Sequence, residues 1–437
     1  MIDNRMGDSG MEDNRIQDNR MEDKEDYLST LNERQLDAVT TTEGYVRIIA
    51  GAGTGKTKAL THRYAYLVNE LGISTSNILC VTFTNKAARE MSKRIRQMIG
   101  DSDTGYICTF HGFCVKLLRE DIHAINFPQN FVVMDDEDTE EILKTVYENA
   151  HIQSRTYTFD SARDHITALK SQMLHIPYLA EIGNEKLLAD YEKAAKVEDK
   201  VFLGYLYEQK KVYGLDYDDL ITIALYILQT DETKRIKWQE RMMYVMVDEF
   251  QDVSSSQYAL AEILSGYHRN LFIVGDPDQT IYTWRGAQIE YILEFDETHE
   301  NTRTIFLDMN YRSTPEILAV SNSLIEKNKK RLPHRLEAYK ESGRRPIYIH
   351  SRTTGDEAQW MTSEIQRLVS EGASYNEMAV LYRSHFVSRN IEESFIKAKI
   401  PYTLYSGVEF YKRKEIKDVL AYLRMIVYSD DLSFRRV

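Results

Sequence analysis

The sequence predicts an α/β fold in which a parallel sheet is flanked by crossover helices. Short β-branched and aromatic runs alternate with helix-patterned stretches, which is typical of such sheets. The 437 residues are 43% hydrophobic and 28% charged, so the chain can bury a sizeable core. The longest apolar run, residues 220–228, is only about half a membrane span, which excludes a membrane protein. No secretory signal pattern is visible, and we expect a cytoplasmic location.

Residues 1–26 predict a disordered acidic tail. They divide into similar five-residue units such as MIDNR and MEDNR, and a period of five fits neither a helix face nor a strand. This segment holds nine acidic and four basic residues, in a chain whose net charge is −13. The total charge argues against a protein that coats nucleic acid but leaves room for a local basic channel.

The remaining elements divide the chain into two α/β domains and one insertion. Strands are predicted at 45–49, 78–83, 106–109, 243–247, 271–274 and 304–307. Between residues 113 and 215 the strand signals nearly vanish and helical spacing dominates, which predicts a helical insertion with solvated charged faces. We therefore assign residues 27–112 and 216–300 to a first domain and residues 301–437 to the first part of a second. Its strands are predicted at 347–350, 378–382 and 402–404.

A glycine-rich loop follows the first predicted strand. Residues 45–57 read YVRIIAGAGTGKT, a strand and a loop followed by a helix from about Lys58. Such a loop turns backbone N–H groups toward a polyphosphate, with Lys56 for the β- and γ-phosphates and Thr57 for Mg²⁺. The segment thus predicts a P-loop NTPase. Its nucleotide cradle consists of Ala50, Gly51, Ala52, Gly53, Thr54 and Gly55.

Polar residues follow two further strands, at the edge of the sheet where a parallel fold binds ligands. The run DEFQD comes directly after residues 243–247, and we assign Asp248 to the metal and Glu249 to the attacking water. The next strand leads into GDPDQTIYTWRGA, where Gln279 is placed to touch the γ-phosphate. Tyr282 and Trp284 suit base stacking, which is worth about 1–3 kcal/mol per base and requires unpaired bases.

Seven segments, in order, resemble the motifs of UvrD/Rep/PcrA-type helicases of superfamily 1. They are LNERQ (31–35), AGAGTGKT (50–57), TFTNKAA (82–88), TFH (109–111), VDEFQD (247–252), GDPDQTIYTWRGA (275–287) and NYRS (310–313). The resemblance implies a RecA-like motor domain, followed by part of a second one, with ATP and Mg²⁺ as cofactors. It also implies a motor that steps 3′ to 5′ on single-stranded DNA and unwinds duplex junctions in DNA repair or replication. We expect the chain to be a monomer.

The same resemblance implies roles for single residues. Gln35 would read the adenine edge, Tyr311 would stack on its face, and Lys58 stands where the family places an adenine-stacking arginine. Arg312 would act as an arginine finger from the second motor domain. The single-stranded DNA path would be lined by Phe83, Asn85, Phe110, His111, Tyr282, Trp284 and Arg285.

Two later family motifs, K-G-L-E and R-R-L-x-Y-V-A-x-T-R-A, do not occur in these 437 residues. An arginine finger accelerates phosphoryl transfer by about 10³–10⁵-fold. We therefore expect this chain alone to bind ATP and DNA, to hydrolyse ATP weakly and not to unwind duplexes. Two alternatives stay open: an ATP-gated DNA-binding protein without motor activity, and the motor part of a helicase–nuclease.

Overall fold

The computed structural model describes residues 27–100, 103–384, 387–405, 414–428 and 433–434, so the predicted tail lies outside the described residues. The chain forms two compact units, which meet in sequence between Gly343 and Arg344. The strands are β1 Tyr45–Ala50, β2 Ile78–Thr82, β3 Tyr106–Thr109, β4 Val132–Val133, β5 Gly214–Leu215, β6 Tyr244–Val247, β7 Leu271–Gly275, β8 Arg303–Leu307, β9 Met309–Asn310 and β10 Glu337–Ala338.

Helices account for most of the remaining described residues. In order they are α1 Glu33–Thr40, α2 Lys56–Asn69, α3 Asn85–Ile99, α4 Phe110–Asp121, α5 Asp136–Asn149, α6 Phe159–Ser171, α7 Ile176–Ala180, α8 Asn184–Lys193, α9 Val197–Lys211, α10 Tyr217–Thr230, α11 Glu232–Arg241, α12 Ser255–Ser265, α13 Glu290–Leu293, α14 Phe295–Thr298, α15 Pro315–Ile325, α16 Thr354–Ser370, α17 Ser388–Lys397 and α18 Lys414–Tyr428. No helix among the described residues is long and apolar enough to cross a membrane.

A six-stranded parallel sheet organises the first unit. Its order is β3-β2-β6-β7-β1-β8, with Ile49 of β1 in register with Gly275 of β7. The six strands predicted between residues 45 and 307 are all formed, and their ends differ from the prediction by at most one residue. Because all strands are parallel, the loops after β1, β2, β6 and β7 meet at one edge of the sheet.

Both faces of this sheet are buried. Successive strand residues point to opposite faces, so Ile49 and Val81 join one core cluster while Ile48 and Cys80 join the other. Helices α4 and α10 cover the first face, and helices α2 and α3 cover the second. The strands therefore read as continuous apolar runs rather than alternating ones.

The helical insertion contains a charged core. Lys170 of α6 is fully buried, and its Nζ lies 2.5 Å from Oδ2 of Asp216 and 2.8 Å from Oδ1 of Asp219. His175 Nε2 lies 3.2 Å from the same Asp219 oxygen. Burial opposes ionisation of Asp219, but Lys170 and His175 outweigh burial and hold its pKa below the ordinary value. Some of the charges that the sequence predicts to be solvated thus fix the packing of the insertion.

The first unit extends past the domain boundary predicted at residue 300. The apolar run of β8 follows that residue and completes the first sheet, with Ile305 paired to Ile48 of β1. Strands β9 and β10 then pair with each other. Because β8 joins the first sheet and Asn310 of β9 donates to the Ala52 carbonyl in the loop after β1, these segments belong to the first compact unit, which ends at Gly343.

The second unit is built on helices in its described residues. Helices α16 and α17 pack through Ala358, Ile391 and Phe395. The strands predicted at 347–350, 378–382 and 402–404 are wrong, since the described residues form no strand there. Tyr348 and Leu381 are 86% and 92% exposed. A strand is stabilised by cross-strand neighbours, and these apolar runs gain none among the described residues.

Candidate functional site

The glycine-rich loop lies at the carboxyl end of β1. Gly53 and Gly55 adopt φ angles of 73° and 89°, in the left-handed region that glycine tolerates. Gly55 caps α2, which begins at Lys56, slightly before the start predicted near Lys58. The first N–H groups of a helix lack acceptors within it, so this end of α2 suits an anionic phosphate.

Residues 310–312, at the end of β9 and just after it, hold the glycine-rich loop in place. Asn310 Nδ2 donates to the Ala52 carbonyl at 2.5 Å, and the Tyr311 N–H donates to the Gly53 carbonyl at 2.9 Å. A Cβ on Gly53 would lie 2.6 Å from the Cβ of Arg312, so glycine also permits this close approach. Arg312, predicted to reach over from the second motor domain, is exposed and belongs to the first compact unit. No role was predicted for Asn310, although it stands in the NYRS motif.

Gln35 and Tyr311 are brought together on the other side of the loop. The buried Gln35 donates from Nε2 to the Thr54 carbonyl at 2.9 Å and accepts from the Asn32 N–H at 3.2 Å. Asn32 also donates from Nδ2 to the Tyr311 hydroxyl at 2.6 Å. Lys58 donates to a backbone carbonyl at 2.5 Å. The residues predicted to meet adenine therefore share one region, and Asn32, which the sequence analysis left without a role, links two of them.

Lys56 reaches the acids that follow β6. Its Nζ lies 3.0 Å from Oε2 of Glu249. Glu249 has a φ of 49°, an uncommon backbone for a residue with a Cβ and one that concentrates at functional sites. Asp248 is only 7% exposed, and Thr82 donates to its Oδ2 at 3.2 Å. Burial, followed by the charge of Glu249, raises the pKa of Asp248 to about 6.

Asp248 offers a place for a cation. Its Oδ1 is buried and accepts no hydrogen bond from the described residues. A buried carboxylate oxygen without a partner is costly, and a hydrated Mg²⁺ would supply one. Thr57 lines the same cavity as Asp248. The residues present therefore fit the metal that the sequence predicts.

A chain of hydrogen bonds joins Glu249 to the end of β7. Gln251 is 2% exposed and donates from Nε2 to Glu249 Oε2 at 2.9 Å. The Asp276 N–H donates to Gln251 Oε1 at 2.9 Å, and Gln279 Nε2 donates to Asp276 Oδ2 at 2.5 Å. No role was predicted for Gln251, although it stands in the DEFQD segment directly before Asp252. This amide links the carboxylate of Glu249 to the backbone of Asp276 through hydrogen bonds.

Beyond Gln279 lies a group that we call the aromatic platform: the half-buried Phe83 and Tyr282 and the exposed Trp284 and Arg285. The rings of Phe83 and Tyr282 are stacked, with centroids 4.8 Å apart and planes at 25°. The Arg285 guanidinium carbon lies 4.7 Å from the Trp284 ring centroid, within the range of a cation–π contact. Trp284 is 72% exposed. The exposed Trp284 ring and the neighbouring Arg285 cation are groups that suit contact with unpaired bases.

Three other residues predicted to meet DNA have different environments. Asn85 is exposed at the first turn of α3. His111 packs edge-on against Tyr217 at 5.4 Å, and burial lowers its pKa. Phe110 is only 7% exposed and packs in the core beneath α4. The position of Phe110 does not support its predicted contact with DNA, because its ring faces the apolar interior.

One cavity of about 350 Å³ joins the two halves of the site. Its wall includes the nucleotide-side residues Thr57, Asp248, Glu249 and Gln279 together with Phe83 and Tyr282 of the aromatic platform. Chemistry at the strand-end acids and contacts at the platform therefore open into the same space. A structural change at the platform can therefore reach the strand-end acids over a few ångströms.

The comparisons with known proteins agree with this geometry. The model of the UvrD/REP helicase N-terminal domain matches residues 31–300, and that of the UvrD-like helicase C-terminal domain matches residues 305–437. The ATP-dependent DNA helicase PcrA of Staphylococcus aureus (strain Mu50) is 40% identical over 412 residues, 94% of this chain and 56% of the relative. That of Staphylococcus epidermidis (strain ATCC 12228) is 40% identical over 418 residues, with the same coverage. The chain thus spans about half the length of these relatives.

Proposed function

Because the chain belongs to the UvrD/REP helicase family, we propose that it is the ATP-hydrolysing part of a DNA helicase. The motor would move 3′ to 5′ on single-stranded DNA and couple hydrolysis to duplex unwinding in repair or replication. The observation that carries this proposal is the single cavity shared by the strand-end acids and the aromatic platform. A protein that only binds nucleotide needs no such connection.

On the nucleotide side, the proposal gives each group one task. Lys56, now paired with Glu249, would exchange that carboxylate for the β- and γ-phosphates. Thr57 and Asp248 would hold Mg²⁺, which neutralises phosphate charge when bound. Glu249, released by Lys56 but still held by Gln251, would orient the attacking water.

On the DNA side, bases would stack on the aromatic platform while Arg285 attracts the backbone. The hydrogen-bond chain from Glu249 through Gln251 and Asp276 to Gln279 ends three residues before Tyr282. A strand that shifts the platform would thereby shift the water-orienting carboxylate. We propose that this series of hydrogen bonds couples DNA binding to ATP hydrolysis.

The chain alone would hydrolyse ATP weakly, because Arg312 is the only arginine finger that its family resemblance supplies and the later motifs do not occur in it. Single-stranded DNA and duplex junctions are the proposed ligands. A monomeric state and a cytoplasmic location complete the proposal.

Two substitutions test the nucleotide chemistry. Lys56→Ala should abolish ATP binding, whereas Glu249→Gln should keep binding and remove hydrolysis. Binding is measured with a fluorescent ATP analogue and hydrolysis by phosphate release, and the exposed Lys327→Ala serves as the control. Unchanged hydrolysis in Glu249→Gln would refute the assignment of the water-orienting base. If ATP altered DNA affinity in the wild-type chain without any phosphate release, the ATP-gated alternative would replace the motor.

A further inference from the structure

A second depression, which we call the basic groove, lies on the first unit between α3 and the segment that leads through β3 into α4. Its volume is about 850 Å³, and four cations line it: Arg89, Lys93 and Arg96 of α3 and Lys116 of α4. Asp103 is the one acidic residue among its described lining residues. The charge of this groove is therefore opposite to the net charge of −13 of the whole chain.

The cations of α3 are available for a ligand. Arg89, Lys93 and Arg96 are exposed, and none of them has an ion-pair partner among the residues that the structure describes. Arg94, on another side of the same helix, is neutralised by Glu90. Lys116 donates to the Gly105 carbonyl at 3.2 Å and keeps its charge without a carboxylate partner among the described residues. Unpaired cations gathered on one concave surface attract a polyanion.

The walls of the groove are fixed rather than loose. The hydroxyls of Ser92 and Thr104 lie 2.9 Å apart and join α3 to the opposite wall. Tyr64 donates from its hydroxyl to the Thr104 carbonyl at 2.9 Å. Gly105 has a φ of 58°, and a Cβ there would lie 2.0 Å from the Thr75 carbonyl oxygen, so this wall passes a crowded point that only glycine accommodates.

The groove continues the proposed DNA path. Asn85, the first residue of α3, lines it, and residues 85, 89, 93 and 96 recur at helical spacing on one side of α3. Ala87 and Met91, on another side of the helix, line the cavity that holds Phe83 and Tyr282. None of the described lining residues of the basic groove is aromatic. A strand in this groove would therefore be held by its phosphates and not by stacked bases.

We propose that the basic groove binds the phosphates of the same single DNA strand where it extends beyond the aromatic platform. This inference rests on the proposed function, since it presupposes a strand on the platform. Each phosphate contact with single-stranded nucleic acid adds about 0.7 to the slope of log affinity against log salt. Loss of two groove contacts should reduce that slope by about 1.4.

The test uses the full chain and two fluorescein-labelled oligothymidylates, because single-strand sites cover on the order of 4–16 nucleotides. One of about 6 nucleotides fills the platform, and one of about 16 also reaches the groove. Affinities are measured by anisotropy across a range of salt concentrations for the wild type, Lys93→Gln/Arg96→Gln and the control Lys186→Gln/Lys193→Gln. The control removes the same charge from exposed positions of α8. Glutamine preserves helix propensity at all four positions.

We expect the groove variant, Lys93→Gln/Arg96→Gln, to lose on the order of tenfold in affinity for the long oligonucleotide and to show the smaller salt slope. Its affinity for the short oligonucleotide should match that of the wild type. The control should match the wild type on both. If the wild type binds the longer strand more tightly than the short one, and the groove variant shows the same increase in affinity, the groove does not hold DNA. If the wild type binds the short strand and gains nothing from length, the groove proposal also fails while the platform stands. If the wild type binds neither strand, the proposed function fails first.

Discussion

Replacing Gln251 with methionine should uncouple DNA binding from ATP hydrolysis. The buried amide makes three contacts: it donates to Glu249 at 2.9 Å and to Asp252 at 3.3 Å, and it accepts from the Asp276 N–H at 2.9 Å. Methionine has a similar length and fills the same space without a donor. The substitution therefore removes the connection and leaves the apolar packing in place.

The contacts set the expected size of the effect. A buried N–H left without an acceptor costs about 1–3 kcal/mol, and a hydrogen bond to a charged group contributes about 1.5–3 kcal/mol. We expect Gln251→Met to lose about 2–4 kcal/mol of stability. If the bond to Glu249 transmits the DNA signal, its loss should lower the DNA-stimulated rate by about 10–100-fold, since about 1.4 kcal/mol corresponds to tenfold.

The assay is phosphate release with and without saturating single-stranded DNA, beside thermal unfolding of each variant. Gln257→Met is the matched control, because Gln257 also accepts a backbone hydrogen bond, from Ser254 at 3.1 Å, but only in the capping box of α12. It should lose about 1 kcal/mol of stability and keep the stimulation. A folded Gln251→Met protein with wild-type stimulation by DNA would refute the coupling route.

Three further substitutions test other parts of the structure. Lys170→Met should destabilise the chain by about 3–5 kcal/mol in urea denaturation, because it leaves the buried Asp219 and the largely buried Asp216 without their cation, and a loss below about 1 kcal/mol would contradict the charged core. Asn310→Ala should weaken ATP binding about 5–10-fold, because the Ala52 carbonyl loses a hydrogen bond worth about 1–1.5 kcal/mol. An unchanged affinity in nucleotide titration would show that Asn310 does not hold the loop for ATP binding. Phe110→Leu should lower the melting temperature, at a cost of about 1.5 kcal/mol or less, without changing affinity for single-stranded DNA, whereas a loss of DNA affinity would restore its predicted contact.

Local sequence signals predicted the parts of the site that depend on one short segment. The loop from Ala50 to Gly55 and the acids Asp248 and Glu249 each follow an apolar run, and a parallel sheet brings the ends of such runs to one edge. The six strands of the first unit were predictable for the same reason, since buried parallel strands read as continuous apolar runs.

Contacts between distant segments could not be predicted in this way. Asn310 meets Ala52 across 258 positions of sequence, and no periodicity reports such a meeting. The burial of Phe110 depends on how α4 packs on the sheet, which its motif does not specify. The runs at 347–350 and 378–382 have strand composition, but a strand also requires a neighbour, and composition carries no information about pairing.

We propose above all that single-stranded DNA on the aromatic platform controls nucleotide chemistry at the strand-end acids. The most direct measurement is the rate of phosphate release as a function of oligothymidylate concentration, compared between the wild type and Trp284→Ala. We expect DNA to raise the wild-type rate, and the variant to need about 5–150-fold more DNA for half of the effect, the equivalent of about 1–3 kcal/mol of lost stacking. A rate that does not respond to DNA, or a Trp284→Ala curve that superimposes on the wild type, would contradict this proposal.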